Sequence, residues 1–174
     1  MKQKLMFVMV AGLLFGCKAQ DNTPTSVGSV DLNRYAGLWY DIASYPARFQ
    51  RGCYCTTAEY TLTQDGYVRV ENKCRKGGFN KSESGVKGKA FVVKGSNNTK
   101  LKVQFFWPFK GDYWIVRLDR DYQWAVVSSP GKDYLWILSR TPVMDSELFE
   151  SIVQSLRQEG YNTERLLKTP QPCG

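Results

Sequence analysis

Reactive side chains are scarce in this chain. None of its 174 residues is His, so the commonest general base and metal ligand is missing. Five thiols remain, at Cys17, Cys53, Cys55, Cys74 and Cys173. Asp41, Glu59 and Glu71 read as surface or rim carboxylates, and no inward acid–base pair is evident. Flat apolar surface is what the chain has in quantity: 14% of its residues are aromatic. Such a set suits packing against or holding apolar groups. Haem finds no His for its iron, and an iron siderophore needs a cluster of inward cations that the sequence does not display. Neither a metal nor another cofactor is expected.

One cysteine stands apart from the others. Lys2 and Lys4 precede an apolar stretch over residues 5–14, the pattern of a secretory leader too short to span a bilayer as a helix. The stretch ends Leu14-Phe15-Gly16-Cys17, which resembles a bacterial lipobox. That resemblance implies cleavage before Cys17, a diacylglycerol on its sulfur and acylation of the new amine, giving stable membrane anchoring by several chains. Ordinary cleavage with an unmodified Cys17 is the alternative. Lys18 follows where Asp would mark retention in the inner membrane, so the resemblance implies the outer membrane. Residues 1–16 are then a signal peptide, 17–30 a lipidated Cys on a polar Pro- and Gly-containing tether, and 31–174 the folded domain.

The domain reads as strands. Asp31 can cap a short helical turn, after which Gly37 bends the chain into a strand from Trp39 to the Tyr45-Pro46 pair. Further strands are expected at 55–62, 67–72, 87–93, 100–107, 113–118, 124–128 and 134–139, with the polar, Gly-rich stretch 73–85 as a loop. Eight strands in up-and-down order, all antiparallel, close a barrel wide enough for one small ligand. The period then changes: Leu148, Ile152, Val153 and Leu156 fall at helical spacing between Asp145 and Gly160. The fold class is therefore all-β, an eight-stranded barrel with one C-terminal helix on its outside. The net charge of +8 is spread along the chain and includes Lys2 and Lys4 of the leader. It reads as a solvated surface with some attraction to anionic lipid, not as a nucleic-acid site.

Gly37-Leu38-Trp39, Asp121-Tyr122 between the sixth and seventh strands and Arg140 after the eighth together resemble the lipocalin family, over residues 31 to about 170. The stretches 37–42, 105–109 and 133–142 look most like the bacterial outer-membrane branch, with apolipoprotein D and the plant temperature-induced lipocalins. The resemblance implies a cup-shaped barrel in which Gly37, Trp39 and Arg140 close one end, the guanidinium lying over the indole. Four cysteines in an exported chain imply two disulfides. Likeness to apolipoprotein D implies Cys55–Cys173, which leaves Cys53–Cys74. The swap of these partners, and a Cys74–Cys173 bond as in retinol-binding relatives, remain open.

Strand alternation divides the wall into two faces. Polarity on the fifth strand, and likeness to the family elsewhere, turn Tyr60, Val103, Phe105, Trp107, Tyr134, Trp136 and Leu138 inward. Thr56, Ala58 and Leu62 share the Tyr60 face. The sixth strand is ambiguous: Tyr113 and Ile115 carry Arg117 on their own face, while Trp114, Val116 and Leu118 are equally apolar, and a bulge can change the answer. With Tyr113 and Ile115 inward, the set lines a cavity for an acyl chain. The function implied is a non-enzymatic, membrane-anchored binder of a fatty acid or lysophospholipid, for transport, storage or envelope maintenance. The alternatives are a lipocalin-fold enzyme acting on a hydrophobic molecule and a scavenger of another apolar ligand. The protein is expected to be a monomer or a homodimer, with Trp114 and Phe106 as candidate contacts.

Overall fold

The Asp31 carboxylate accepts from the Asn33 N–H at 2.9 Å and starts the single-turn helix α1 (Leu32–Tyr35). Gly37 then adopts φ +95°, a left-handed value that side chains resist, and swings the chain into β1 (Gly37–Ser44). A computed structural model describes residues 23–173; the leader and Cys17 lie outside them.

From β1 the chain runs up and down through β2 (Cys53–Leu62), β3 (Val68–Lys76), β4 (Glu83–Val92), β5 (Lys100–Gln104), β6 (Gly111–Leu118), β7 (Trp124–Ser128) and β8 (Leu135–Ser139). Each strand pairs antiparallel with the next, and β1 pairs with both β2 and β8. The barrel is thereby closed. Helix α2 (Ser146–Gln158) follows, capped by the Asp145 carboxylate on the Leu148 N–H at 2.9 Å.

Two apolar clusters result. One fills the inside of the barrel towards its closed end, around Trp39, Tyr60, Val70, Ile115 and Val127. The other lies outside, where Phe149, Ile152 and Leu156 of α2 cover Val116, Val126, Leu135 and Ile137. Alternation along β7 and β8 thus sends one residue into the barrel and the next under the helix.

Local chemistry moves several boundaries. The stretch 73–85, read as a loop, is mostly ladder, with Cys74 opposite Ser84 and Arg75 opposite Glu83. β5 stops at Gln104, before the expected Trp107. Phe109 N–H closes a turn on the Phe106 carbonyl at 2.9 Å, and Pro108 has no N–H to offer a ladder. On β6 a bulge between Ile115 and Arg117 settles the ambiguous face. Ile115 and Leu118 pack inside, while Val116 packs under the helix. Arg117 also turns outward, to Ser155 and Glu159 of α2.

A ninth strand, β9 (Leu167–Lys168), was too short to leave a periodic signal. It pairs with Ala43 and Ser44 of β1. Here β2 has already left β1, whose pairing with it ends at Tyr40–Thr57. The tail takes β2's place. Thr169 N–H donates to the Ile42 carbonyl at 2.9 Å and Cys55 N–H to the Pro170 carbonyl at 2.8 Å. The Gln171 amide spans the gap, donating to the carbonyls of Asp41 and Thr56 at 2.8 Å each. Disulfides join Cys53 to Cys74 and Cys55 to Cys173, the second fastening the end of this wedge.

Candidate functional site

The closed end is built on Arg140. Its guanidinium lies 3.8 Å from the Trp39 ring centroid. Nη1 donates to the Leu38 carbonyl at 2.8 Å, and Nη2 donates to those of Arg34 at 2.7 Å and Ala36 at 3.0 Å. Nε reaches the Tyr122 carbonyl at 3.2 Å. The Trp39 indole N–H is satisfied by the Tyr35 carbonyl at 2.8 Å. Tyr122 in turn accepts the Asp31 N–H on its hydroxyl at 2.9 Å and lies under the Arg34 guanidinium. One cation thus holds α1, β1 and the β6–β7 turn together as a plug.

Above the plug three phenols meet. Tyr60 donates to Tyr113 at 2.9 Å, and the hydroxyls of Tyr35 and Tyr113 share a hydrogen bond of 2.7 Å. Burial raises all three pKa values, that of Tyr60 to about 12, so the cluster is neutral at ordinary pH.

A cavity of about 710 Å³ stands over these rings, within the range of small-molecule sites. Its apolar wall includes Val103, Phe105, Trp136 and Leu138. Gly88 allows one of these rings its place: a Cβ there would fall 2.8 Å from Phe105 Cδ1 and 2.7 Å from the Gln104 carbonyl. Tyr134 stacks on Trp136 with ring centroids 5.6 Å apart. Exposed Phe49, Phe106 and Phe109 stand at the mouth, beside Lys110 and Asp112.

The opposite wall is polar, and Asp41 is its centre. It was expected at the surface, yet it is 3% exposed. The alternation that puts Trp39 inside puts Asp41 inside as well, and the Gln171 wedge covers the backbone beside it. Asp41 Oδ2 accepts from the Gln50 amide at 3.0 Å and the Ser44 hydroxyl at 3.2 Å. Gln50 passes the contact on, accepting from the Trp136 indole N–H at 3.0 Å. Burial pushes the Asp41 pKa up to about 7, with the hydroxyls of Ser44 and Thr169 and the Gln50 amide pulling against it. Asn72, on β3 opposite Ala58, also lines the cavity.

Of the residues expected on the cavity wall, the structure brings together Tyr60, Val103, Phe105, Tyr113, Tyr134, Trp136 and Leu138. Two others lie elsewhere. Trp107 is 86% exposed in the turn beyond β5, because the strand that would have turned it inward has ended. Ile115 points inward but is sealed in the packed cluster below the cavity. Trp114 is half-buried, with the Lys100 ammonium 3.8 Å from its ring centroid, while Phe106 is exposed at the rim. Asp41, Gln50 and Asn72 went unread. The parity of Asp41 with Trp39 was the available signal for the first, and the β2–β3 hairpin register for the last.

Comparison with known proteins agrees with this geometry. Residues 30–171 match the family model described as a lipocalin-like domain. The chain is 36% identical to outer membrane lipoprotein Blc of Vibrio cholerae over 171 residues, covering 96% of this chain and 98% of that one. Against the Blc protein of Escherichia coli K12 the identity is 40% over 151 residues, covering 85% and 83%. The solved structure of lobster apocrustacyanin A1 superposes with a TM-score of 0.65 at 20% identity, covering 86% of this chain and 90% of that one. A closed eight-stranded cup, its Arg140–Trp39 plug and a match over nearly the whole barrel lead to one assignment: this chain is a member of the lipocalin family.

Proposed function

We propose that the protein carries an acyl-chain lipid, a fatty acid or a lysophospholipid, in the barrel while anchored to the outer membrane through Cys17. The observation that carries this reading is the aromatic-walled cavity of about 710 Å³, closed below and open at one end. Burying an acyl chain there contributes roughly 0.8 kcal/mol per CH2. A long chain then reaches micromolar affinity after the costs of ordering. The exposed Phe106, Trp107 and Phe109 beside Lys110 form a rim suited to meeting a bilayer surface from which such a lipid is drawn. The Leu14-Phe15-Gly16-Cys17 stretch and the name of the Blc relatives support the anchor and its membrane. A carrier role, rather than catalysis, agrees with a chain that has no His and whose Cys53, Cys55, Cys74 and Cys173 are paired in disulfides.

The test is native mass spectrometry with lipid extraction on the protein purified from a periplasm. An acyl lipid at near-stoichiometric amount is the expected result. A protein that is empty, and that fails to bind any added acyl probe, would refute the reading.

A further inference from the structure

The polar wall of the cavity specifies which head group enters with the chain. Two oxygen atoms on it are buried and unpartnered among the described residues, Asp41 Oδ1 and Asn72 Oδ1. Both belong to residues that line the same cavity, and both are hydrogen-bond acceptors. The other Asp41 oxygen is already engaged by Gln50 and Ser44. No Lys or Arg is among the groups that govern Asp41's titration, so its charge has no cationic partner in the protein. A buried acceptor left without a donor costs free energy, of the order of 1–3 kcal/mol. A ligand that supplies the missing donors recovers it.

We propose that Asp41 and Asn72 form a subsite for hydrogen-bond donors, so that the cavity selects an amphiphile with a hydroxyl or ammonium head over one with a bare carboxylate. The proposal rests on the carrier reading and adds to it a rule for the head group. A carboxylate drawn to this depth brings acceptors to acceptors and places a second negative charge near Asp41. It is admitted only when one of the two acids holds a proton. A glycerol hydroxyl fits either form of Asp41. An ammonium fits the ionised form and pairs with it directly. Gln50 ties this subsite to a reporter, since it bridges Asp41 and the Trp136 indole across the cavity.

The test uses the leaderless chain, residues 18–174, which contains every described element of the barrel and both of its apolar clusters. Three ligands of equal chain length are titrated against tryptophan fluorescence at pH 8: a fatty acid, a 1-monoacylglycerol and a primary alkylamine. Diphenylhexatriene, which has no head group, reports occupancy of the cavity alone. The expected result is binding of the monoacylglycerol, the amine or both at least tenfold tighter than the fatty acid. An amine whose affinity grows between pH 6 and 8 identifies ionised Asp41 as its partner; a pH-independent monoacylglycerol identifies a hydroxyl head. Asp41→Asn supplies an N–H and removes the charge, so it should raise fatty-acid affinity and shrink the ratio severalfold. Asn72→Leu should weaken the preferred ligand while leaving the fatty acid unchanged. Circular dichroism confirms that each variant is folded. Binding of diphenylhexatriene together with equal affinity for all three heads, or a ratio that neither variant alters, would overturn the subsite and leave the carrier standing. Failure of diphenylhexatriene and of every acyl ligand would overturn both.

Discussion

The Arg140 guanidinium lies 3.8 Å from the centroid of the Trp39 ring and in the same pose donates to the carbonyls of Leu38, Arg34, Ala36 and Tyr122. A cation–π contact is worth about 1–2 kcal/mol where it is desolvated. The carbonyls lose their charged donor together with it. Arg140→Ala should therefore lower stability by about 3 kcal/mol, read as the midpoint of guanidinium unfolding. Arg140→Lys keeps the charge but not the planar fork, so it should recover less than half of that loss. A full recovery by Lys would mean that charge alone closes the barrel.

Asp41 should make stability fall as pH rises. Its carboxyl titrates near 3.8 in the unfolded chain and at about 7 when folded. Between these values the folded state holds a proton that the unfolded state has released, so the stability present below pH 4 is lost progressively up to about pH 7. Tyr60, the other titratable group coupled to it, stays neutral throughout because its own pKa is raised to about 12. The full effect is up to about 4 kcal/mol, since each pH unit between the two values corresponds to about 1.4 kcal/mol. Urea unfolding at pH 5 and pH 8 should show the slope, and Asp41→Asn should flatten it. A variant with an undiminished slope would place the responsible proton elsewhere.

Gly88 should be intolerant of a methyl group for a reason that involves the cavity. Its Cβ would meet the Gln104 carbonyl at 2.7 Å and the Phe105 ring at 2.8 Å. The ring has to move, and Phe105 is part of the cavity wall. Gly88→Ala should cost about 1–3 kcal/mol, the range for overpacking. It should also weaken binding of an apolar probe severalfold, measured by fluorescence titration. Unchanged probe affinity would show that Phe105 is not needed in its observed position.

The Cys55–Cys173 disulfide closes a span of 118 residues and holds the Gln171 wedge in place. Cys173→Ser should lower stability by about 2–5 kcal/mol. Hydrogen exchange should locate the change at Ile42, Cys55 and Thr169, whose amides or carbonyls the tail engages. Exchange that rises uniformly over the barrel instead would mean that the bond acts on the unfolded chain alone. Gln171→Ala, with the disulfide intact, should reproduce the local part of the effect.

Much of the barrel was legible from period-2 patterning, because most strands have one face in water and one inside. The plug was legible because Gly37, Trp39 and Arg140 recur in order at the edges of strands. Where both faces of a strand are solvated, as around Cys74 and Ser84, alternation disappears and a ladder reads as a loop. Asp41 was misplaced for the opposite reason. Polarity argued for the surface, and only its parity with Trp39 argued for the interior. Trp107 was misplaced because an aromatic run hid the end of β5, although Pro108 marked it.

The tail wedge has a consequence for how the chain is made. β1 is the first strand to leave the translocation channel, yet its upper half is flanked by β8 and β9, which leave last. Barrel closure therefore depends on contacts between the two ends of the sequence, an arrangement that slows folding. Until Leu167–Gln171 arrives, the backbone groups of Ile42 and Ala43 form an unpaired strand edge of the kind that recruits other chains. A chain stalled or clipped ahead of Leu167 is then an aggregation hazard, and protection of the nascent β1 edge becomes a requirement of export.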